Sequence, residues 1–324
     1  MSAAMKTKEI AIGIDIGGTN TVFGFIDKRG KCLAEGSVRT AEFLEFHDFI
    51  KALWESIEKV GATIKTKIDI KGIGIGAPNG NFYNGTIEFA PNLSWKGIIP
   101  VAKEFKKLSR LPVVLTNDAN AAAMGEMMYG GAKRLKDFIV ITLGTGLGSG
   151  IVVNGNVLYG HDGFAGEIGH VIVTPNGRKC GCGRRGCLET YASATGIKRT
   201  VLKLLSESGE DSMLNGHTIK SLSAKMIDEA AFKGDPIAIE AFDYTGKVLG
   251  EALANSIAYT SPKAIFLFGG LAQAGKLIFK PTKKHMEKSL LNIYKKKVKL
   301  LPSSLKGAHA AVLGASALVW KELL

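Results

Sequence analysis

The chain has no apolar run long enough to cross a bilayer, no apolar signal-peptide core in its opening residues, and only four cysteines in 324 residues. These absences argue against a helical membrane protein and against a secreted, disulfide-stapled one. The P-loop pattern is missing, and so is a strand-to-helix dinucleotide fingerprint, which disfavours those NTP and NAD folds. Aromatic residues are not interleaved with the lysine clusters, as a single-strand nucleic-acid groove would need. No disordered linker is evident. The expected setting is cytoplasmic, with no nucleic-acid partner and no membrane partner.

At this length, two α/β domains around a cleft are expected. The net charge is +13, and lysines gather at 280–285 and 295–299. They read as a solvated helix face and its following strand, with attraction to a polyanion as the alternative. The 40 glycines concentrate in short motifs, which suggests tight turns and close backbone approach to ligands.

Three of the four cysteines fall in one short segment. Glu167-Ile-Gly-His170 is followed by Cys180-Gly-Cys182-Gly-Arg-Arg-Gly-Cys187-Leu-Glu189. His170, Cys180, Cys182 and Cys187 form a Cys3His set, a usual closed set for structural zinc. Disulfide pairing and plain burial are the alternatives, but a Cys-X-Cys ring is strained and an odd cluster leaves one thiol over. Glu167 and Glu189 are then not needed as zinc ligands and are expected to do other work. Cys32 reads as an ordinary buried cysteine.

A strand–glycine turn–strand pattern occurs twice. The first turn, Asp15-Ile-Gly17-Gly18-Thr19-Asn20, supplies backbone donors and a hydroxyl suited to phosphate oxygens. Asp15 would meet phosphate through hydrated Mg2+. The second turn includes Thr142, Gly144, Thr145 and Gly146, and Gly269-Gly270 ends a later apolar strand. A plain hairpin is the alternative for each turn taken alone. The duplication suggests two related domains.

Asn117-Asp118 closes an apolar strand and opens an alanine-rich helix. Asp118 has two readings at that junction, helix cap and general base, and spacing alone does not separate them.

Together Asp-Ile-Gly-Gly-Thr (15–19), Asn-Asp-Ala-Asn-Ala (117–121), Leu-Gly-Thr-Gly (143–146), Glu-Ile-Gly-His and the cysteine segment resemble the ROK family of sugar kinases and repressors, with the closest likeness to its bacterial glucokinases. The resemblance runs over essentially the whole chain. It implies the actin-like, hexokinase-like (ribonuclease H-like) ATPase fold, with two α/β domains flanking a cleft that holds hexose and ATP. The expected division is 1–118 plus 310–324 as the small domain and 119–309 as the large one carrying the zinc loop.

The resemblance implies Asp118 as catalytic base. Asn79, Gly80, Asn117, Glu167, His170 and Glu189 would bind sugar. Asp15, Gly17, Gly18, Thr19, Asn20, Thr142, Gly144, Thr145, Gly146, Gly269 and Gly270 would bind the nucleotide. The implied cofactors are ATP, Mg2+ and structural Zn2+. The implied reaction is phosphorylation of glucose at its 6-hydroxyl, with N-acetylglucosamine, mannose or fructose kinase, or a sugar-responsive regulator, as alternatives. A homodimer or homotetramer is implied. Pro78-Asn79-Gly80 departs from the Pro-Gly common in the family's sugar loop. With the first phosphate motif at residue 15, an N-terminal helix-turn-helix is not expected. Loss of zinc is expected to disorder the sugar residues while the phosphate turns, on separate strands, survive.

Overall fold

A computed structural model describes residues 7–305 and 310–324. The parts of the expected division at 1–6 and 306–309 lie outside the described residues. The elements begin β1 (Lys8–Ile16), β2 (Thr21–Asp27), β3 (Cys32–Val38), α1 (Phe46–Gly61), β4 (Ile68–Ala77), β5 (Gly80–Asn81), β6 (Thr86–Glu88), β7 (Ile98–Ile99), α2 (Val101–Ser109), β8 (Val113–Asn117) and α3 (Asp118–Met128). They continue β9 (Phe138–Leu143), β10 (Leu147–Val153), β11 (Asn156–Val157), α4 (Ala194–Ser208), α5 (Ala224–Phe232), α6 (Pro236–Thr260), β12 (Ala264–Phe268), α7 (Lys276–Ser289), β13 (Lys299–Pro302) and α8 (Ala310–Glu322).

The chain divides into two compact units. One holds the residues through Leu135, Val157–Ala165 and the residues from Ser304 onward; the other holds Lys136–Asn156 and Gly166–Ser303. Each contains a five-stranded sheet, ordered β3-β2-β1-β4-β8 in the first and β11-β10-β9-β12-β13 in the second. In both, an antiparallel hairpin is followed by two strands added in parallel. This is the duplicated α/β unit that the two glycine turns suggested.

In the first unit β4 alternates Gly72-Ile73-Gly74-Ile75-Gly76, and successive residues of a strand face opposite sides. Ile73 and Ile75 join Ile12, Ile14, Phe49, Leu53 and Phe105 in a fully buried core under α1 and α2. Gly72 and Gly74 face the other way, onto α8. A Cβ on Gly13 would run into the Val312 carbonyl oxygen, and one on Gly74 into that of Ala315. The helix therefore rests directly on strand backbone. The α3 helix meets α8 equally closely, because a Cβ on Gly125 would lie 2.9 Å from the Gly314 Cα.

That packing moves the expected boundary. The α3 helix belongs with the first unit, because its small face is pressed against α8, so the division falls after Leu135 rather than after 118. Val157–Ala165 also joins the first unit, contrary to its place within 119–309. Phe82 and Tyr159 stack at 3.9 Å, and the Asn81 amide donates to the Asp162 carbonyl at 2.9 Å. The buried Glu126 ties the loop after α3 to the segment after β13, its Oε2 accepting from Gly131 N at 2.7 Å and its Oε1 from Ser304 N at 2.8 Å.

The second unit packs α6 beside α7 at Gly246, where a Cβ would come within 2.6 Å of Pro281 Cγ. The α6 helix starts sharply because Pro236 follows Asp235, whose carboxylate accepts from Ala238 N at 2.9 Å. The lysines at 280–285 lie on a helix, α7, as read from the sequence, but Lys295, Lys296 and Lys297 form a turn and only Lys299 falls in the following strand, β13. Among the described residues no helix is long and apolar enough to cross a membrane.

Gly74→Ala should lower stability by about 3 kcal/mol, since the added methyl meets backbone that cannot rotate away. Gly144→Ala, whose Cβ would meet nothing within 4 Å, should be nearly neutral. Denaturant unfolding of the two variants tests the comparison, and equal stability would show that α8 does not rest on the strands.

Candidate active site

Parallel strands end at the same sheet edge, so their last residues become neighbours. Asp15, the next-to-last residue of β1, lies opposite Gly76 of β4, and Gly76 lies opposite Thr116 of β8. Asn117 and Asp118 follow at once. A Cβ on Gly76 would lie 3.6 Å from Asp15 Oδ1, 3.7 Å from the Asp118 Cα and 3.1 Å from Ala121 Cβ. The missing side chain leaves the space between the two acids clear.

The cap belongs to Asn117, not Asp118. The Asn117 Oδ1 accepts from Asn120 N at 2.9 Å, and Asp118 occupies the first turn of α3. Its Oδ1 accepts from Ala119 N at 2.7 Å. Asp118 is open to solvent at one side, yet the protein around it strips enough water to raise its carboxyl, with the backbone bonds opposing. Asp15 is pushed up to about 7, first by burial and then by the charge of Asp118.

Asn79 takes a positive φ of 50° and donates its amide to the Glu88 carbonyl at 3.0 Å. Gly80 packs on β8 so closely that a Cβ would lie 2.6 Å from the Thr116 carbonyl carbon. Asn79, Gly80, Asn117, Asp118 and Asp15 thus cluster in the first unit. Gly17–Asn20 connects β1 to β2, with Gly17 N donating to Asn20 O at 3.1 Å. A Cβ on Gly18 would strike the Asn92 carbonyl oxygen. Thr19 and Asn20 are exposed.

The remaining candidates lie in the second unit. Thr142 Oγ1 accepts from Gly148 N at 3.1 Å, and Gly144 N donates to Gly146 O at 3.0 Å, so the second turn is closed by its own bonds. Gly144 and Thr145 are exposed. Gly269 follows β12, whose Phe268 pairs with Thr142. It has φ +99°, and a Cβ there would lie 2.7 Å from the Leu143 carbonyl oxygen. Gly144 and Gly270 differ from these. Neither has a positive φ, and a Cβ on either meets nothing within 4 Å.

The Glu167–His170 turn is held against β10. Ser149 Oγ donates to the Gly166 carbonyl, and Ile168 N donates to Ser149 Oγ at 3.3 Å. The ligand atoms of His170, Cys180, Cys182 and Cys187 all lie within 4.8 Å of one another. Cys182 Sγ is 3.7 Å from Cys187 Sγ, and Cys180 Sγ is 3.7 Å from His170 Nδ1. A tetrahedron with zinc–sulfur bonds of about 2.3 Å has edges of about 3.8 Å, so this donor set fits zinc. His170 Nε2 faces Glu167 Oε2 at 4.0 Å, leaving Nδ1 to the thiol side.

Glu189 departs from the expected separation of sugar and phosphate sites. Its Oε2 accepts from Leu147 N at 3.0 Å, directly after the second turn, while its Oε1 lies 3.7 Å from Cys180 Sγ. The same carboxylate fills the space a Gly146 side chain would need. Arg178 is a loop anchor that sequence reading missed. Its guanidinium donates to Thr190 O at 2.9 Å and to Gly196 O at 3.0 Å, and it stacks on the Tyr191 ring at 4.6 Å. A lone arginine before the cysteines carries no motif to announce this. The alternation of glycines at 72, 74 and 76 did carry a signal for the small-residue face.

The chain belongs to the ROK family, whose family model matches residues 11–322. It is 38% identical to the glucokinase of Halalkalibacterium halodurans over 85% of this chain and 84% of that one. It is 30% identical to the DNA-binding transcriptional dual regulator NagC of Escherichia coli, over 97% of this chain and 76% of the regulator. Among solved structures it is similar to a ROK family glucokinase from Streptomyces griseus in complex with glucose and AMPPNP, with a TM-score of 0.81, 33% identity, and coverage of 95% and 98% of the two chains. The fold is the actin-like, hexokinase-like one.

Asp15 gives a pH test. Its folded pKa is raised, so from 3.8 to about 7 the native state keeps a proton that the unfolded chain has released. Stability without divalent cations should therefore fall as pH rises through that window. Asp15→Asn should flatten the fall, as read by urea midpoints in EDTA. Parallel curves for both proteins would place Asp15 in an ordinary environment.

Cys182→Ser should lose zinc and weaken glucose binding by at least about tenfold, as disturbed metal sites do. Because Glu189 joins the thiol cluster to the second turn, affinity for an ATP analogue should fall as well. Metal analysis and paired calorimetric titrations check this. An unchanged nucleotide affinity in the folded, zinc-free protein would show that the hairpin holds Glu189 alone.

Proposed function

We propose that the protein is an ATP-dependent hexose kinase that phosphorylates the 6-hydroxyl of glucose. The observation that carries the reading is Asp118, a carboxylate relieved of capping by Asn117, raised by desolvation, and set at the strand edge beside Asp15. A raised carboxyl holds a proton more readily, as a general base must. The likeness to glucokinases and to the glucose- and AMPPNP-bound structure supports the substrate pair.

In this reading Asp118 accepts the 6-hydroxyl proton as the oxygen attacks the γ-phosphorus. The new O–P bond forms while the bond to the β,γ-bridging oxygen breaks, and ADP carries away that electron pair. For the sugar hydroxyls this reading takes Asn117, Asn79 and Gly80 in the first unit, and in the second unit, taken by itself, Glu167, His170 and Glu189. The turn at Gly17–Asn20 and the turn at Thr142–Gly146 hold phosphates by backbone N–H and hydroxyl donors. Gly269-Gly270 lies against the adenosine. Asp15 fits a role beside hydrated Mg2+, which supplies charge neutralisation on the phosphates when bound. Zinc on His170, Cys180, Cys182 and Cys187 is structural and holds the Glu189 loop. The setting is cytoplasmic and glycolytic, and the assembly a homodimer or homotetramer.

Asp118→Asn should lower turnover at least about a hundredfold while glucose binding stays near normal. A coupled assay and glucose titration measure the two, and near-normal turnover in the folded variant would sink the base assignment. Gly144→Ala, neutral for the fold, should raise the KM for ATP, because among the described residues no atom lies close enough to require glycine there. The same assay run over glucose, N-acetylglucosamine, mannose and fructose, with ATP or inorganic polyphosphate, fixes the sugar and the donor. Absence of turnover with every pair would favour the regulator.

A further inference from the structure

The stretch from Lys276 to Lys299 holds nine lysines against one glutamate, and so eight of the chain's thirteen excess positive charges. All nine are exposed, and among the described residues none forms an ion pair. Lysines elsewhere behave differently. Lys71 pairs with Glu9 and Asp69, and Lys107, Lys203 and Lys225 each pair with a glutamate one helical turn away. The one acid in the stretch, Glu287, spends its Oε2 on Lys296 N at 3.1 Å.

The charge lies on one face. Lys280, Lys284 and Lys288 are spaced by four along α7, which stacks them along a single stripe. The chain then turns, and Lys295, Lys296 and Lys297 continue the basic surface towards β13. Between these two groups stand Leu291 and Ile293, 59% and 61% exposed. They are not on a loose loop. Tyr294 N donates to Leu291 O at 2.9 Å, Lys297 N donates to Tyr294 O at 3.1 Å, and the Lys296–Glu287 bond pins the turn to α7. The structure spends hydrogen bonds on holding two large apolar side chains in water.

The stretch contains no arginine. Phosphate recognition in nucleic acids leans on the planar, forked guanidinium, whereas lysines act as mobile point charges suited to a diffuse anionic surface. Linear polyanions have no use for exposed leucine and isoleucine. An anionic bilayer uses both features: headgroup charge attracts the lysines, and the acyl boundary accepts the apolar pair.

We infer that the α7–β13 face is a peripheral docking surface for anionic phospholipid bilayers, with Leu291 and Ile293 inserting at the acyl boundary between two lysine groups. This adds a surface contact to a chain in which composition pointed to no membrane partner, since composition weighed only spanning segments. None of these residues belongs to the proposed kinase site.

The test is co-sedimentation of the full chain with vesicles of equal parts phosphatidylglycerol and phosphatidylcholine, against phosphatidylcholine alone. Binding is expected on the anionic vesicles only, and to weaken with salt. Lys280→Gln/Lys284→Gln/Lys288→Gln should weaken it at least about tenfold, and Leu291→Ser/Ile293→Ser should do so at unchanged charge. Both variants should keep wild-type sugar-kinase KM and kcat, which shows that they fold. No binding to anionic vesicles overturns the inference, as does equal binding to neutral ones. Binding indifferent to Leu291→Ser/Ile293→Ser, and competed away by polyphosphate, would instead assign the face to a soluble polyanion. A change of oligomeric state in that variant would assign it to a second copy of the chain.

Discussion

The site in the first unit depends on α8 lying directly on the backbone of β1 and β4. Ordinary side chains hold a helix about one side-chain layer away from a sheet. Here the layer is missing at Gly13 and Gly74, and the helix carbonyls of Val312 and Ala315 occupy the space. With α8 set that deep, α3 can pack beside it at the Gly125–Gly314 contact and still start at the end of β8. The start of α3 is what places Asp118 at the strand edge beside Asp15. A helix one layer higher would lift Asp118 away from Asp15 and undo the electrostatic coupling between them.

In the second unit the corresponding constraint is a carboxylate. Glu189 reaches a cysteine of the metal set with one oxygen and the backbone after the second turn with the other. Arg178 fixes the far side of the same loop through Thr190 and Gly196. Sulfur–sulfur and sulfur–nitrogen spacings near a tetrahedral edge mean that the donors stand already gathered. A metal bound there would fasten an arrangement that the loop's glycines and hydrogen bonds have brought close, and its effect would extend through Glu189 to the hairpin.

Much of this was legible in the sequence. The strand–glycine turn–strand repeat gave the duplicated sheet, and the Cys3His spacing gave the cluster, because both are local patterns with few alternative geometries. The cap at Asn117 was not legible. Asn and Asp are both good caps and stand side by side, and only the backbone decides which of them takes the extended conformation. The boundary after Leu135 was missed because it is set by α3 resting on α8, a contact between segments almost two hundred residues apart. Val157–Ala165 was assigned to the wrong unit for a similar reason: the Phe82–Tyr159 stack leaves no trace in either local sequence.

The glycines of the two hairpin turns and of the strand end after β12 read alike in sequence, yet they have different causes. Gly17 is needed because a Cβ would lie 2.7 Å from Asn20 O, and Gly18 because Asn92 approaches it. Gly146 is needed because Glu189 fills its side-chain space, and Gly269 by its positive φ. Those four are explained by the fold itself and would be glycine with no nucleotide in view. Gly144 and Gly270 are not, since an alanine would fit both backbones and touch nothing. The part of the glycine pattern left for a proposed ligand to explain therefore lies in the second unit, at the turn after β9 and the strand end after β12. In the first unit the corresponding features of the proposed site are side chains instead, the exposed Thr19 and Asn20 and the neighbouring carboxylates of Asp15 and Asp118.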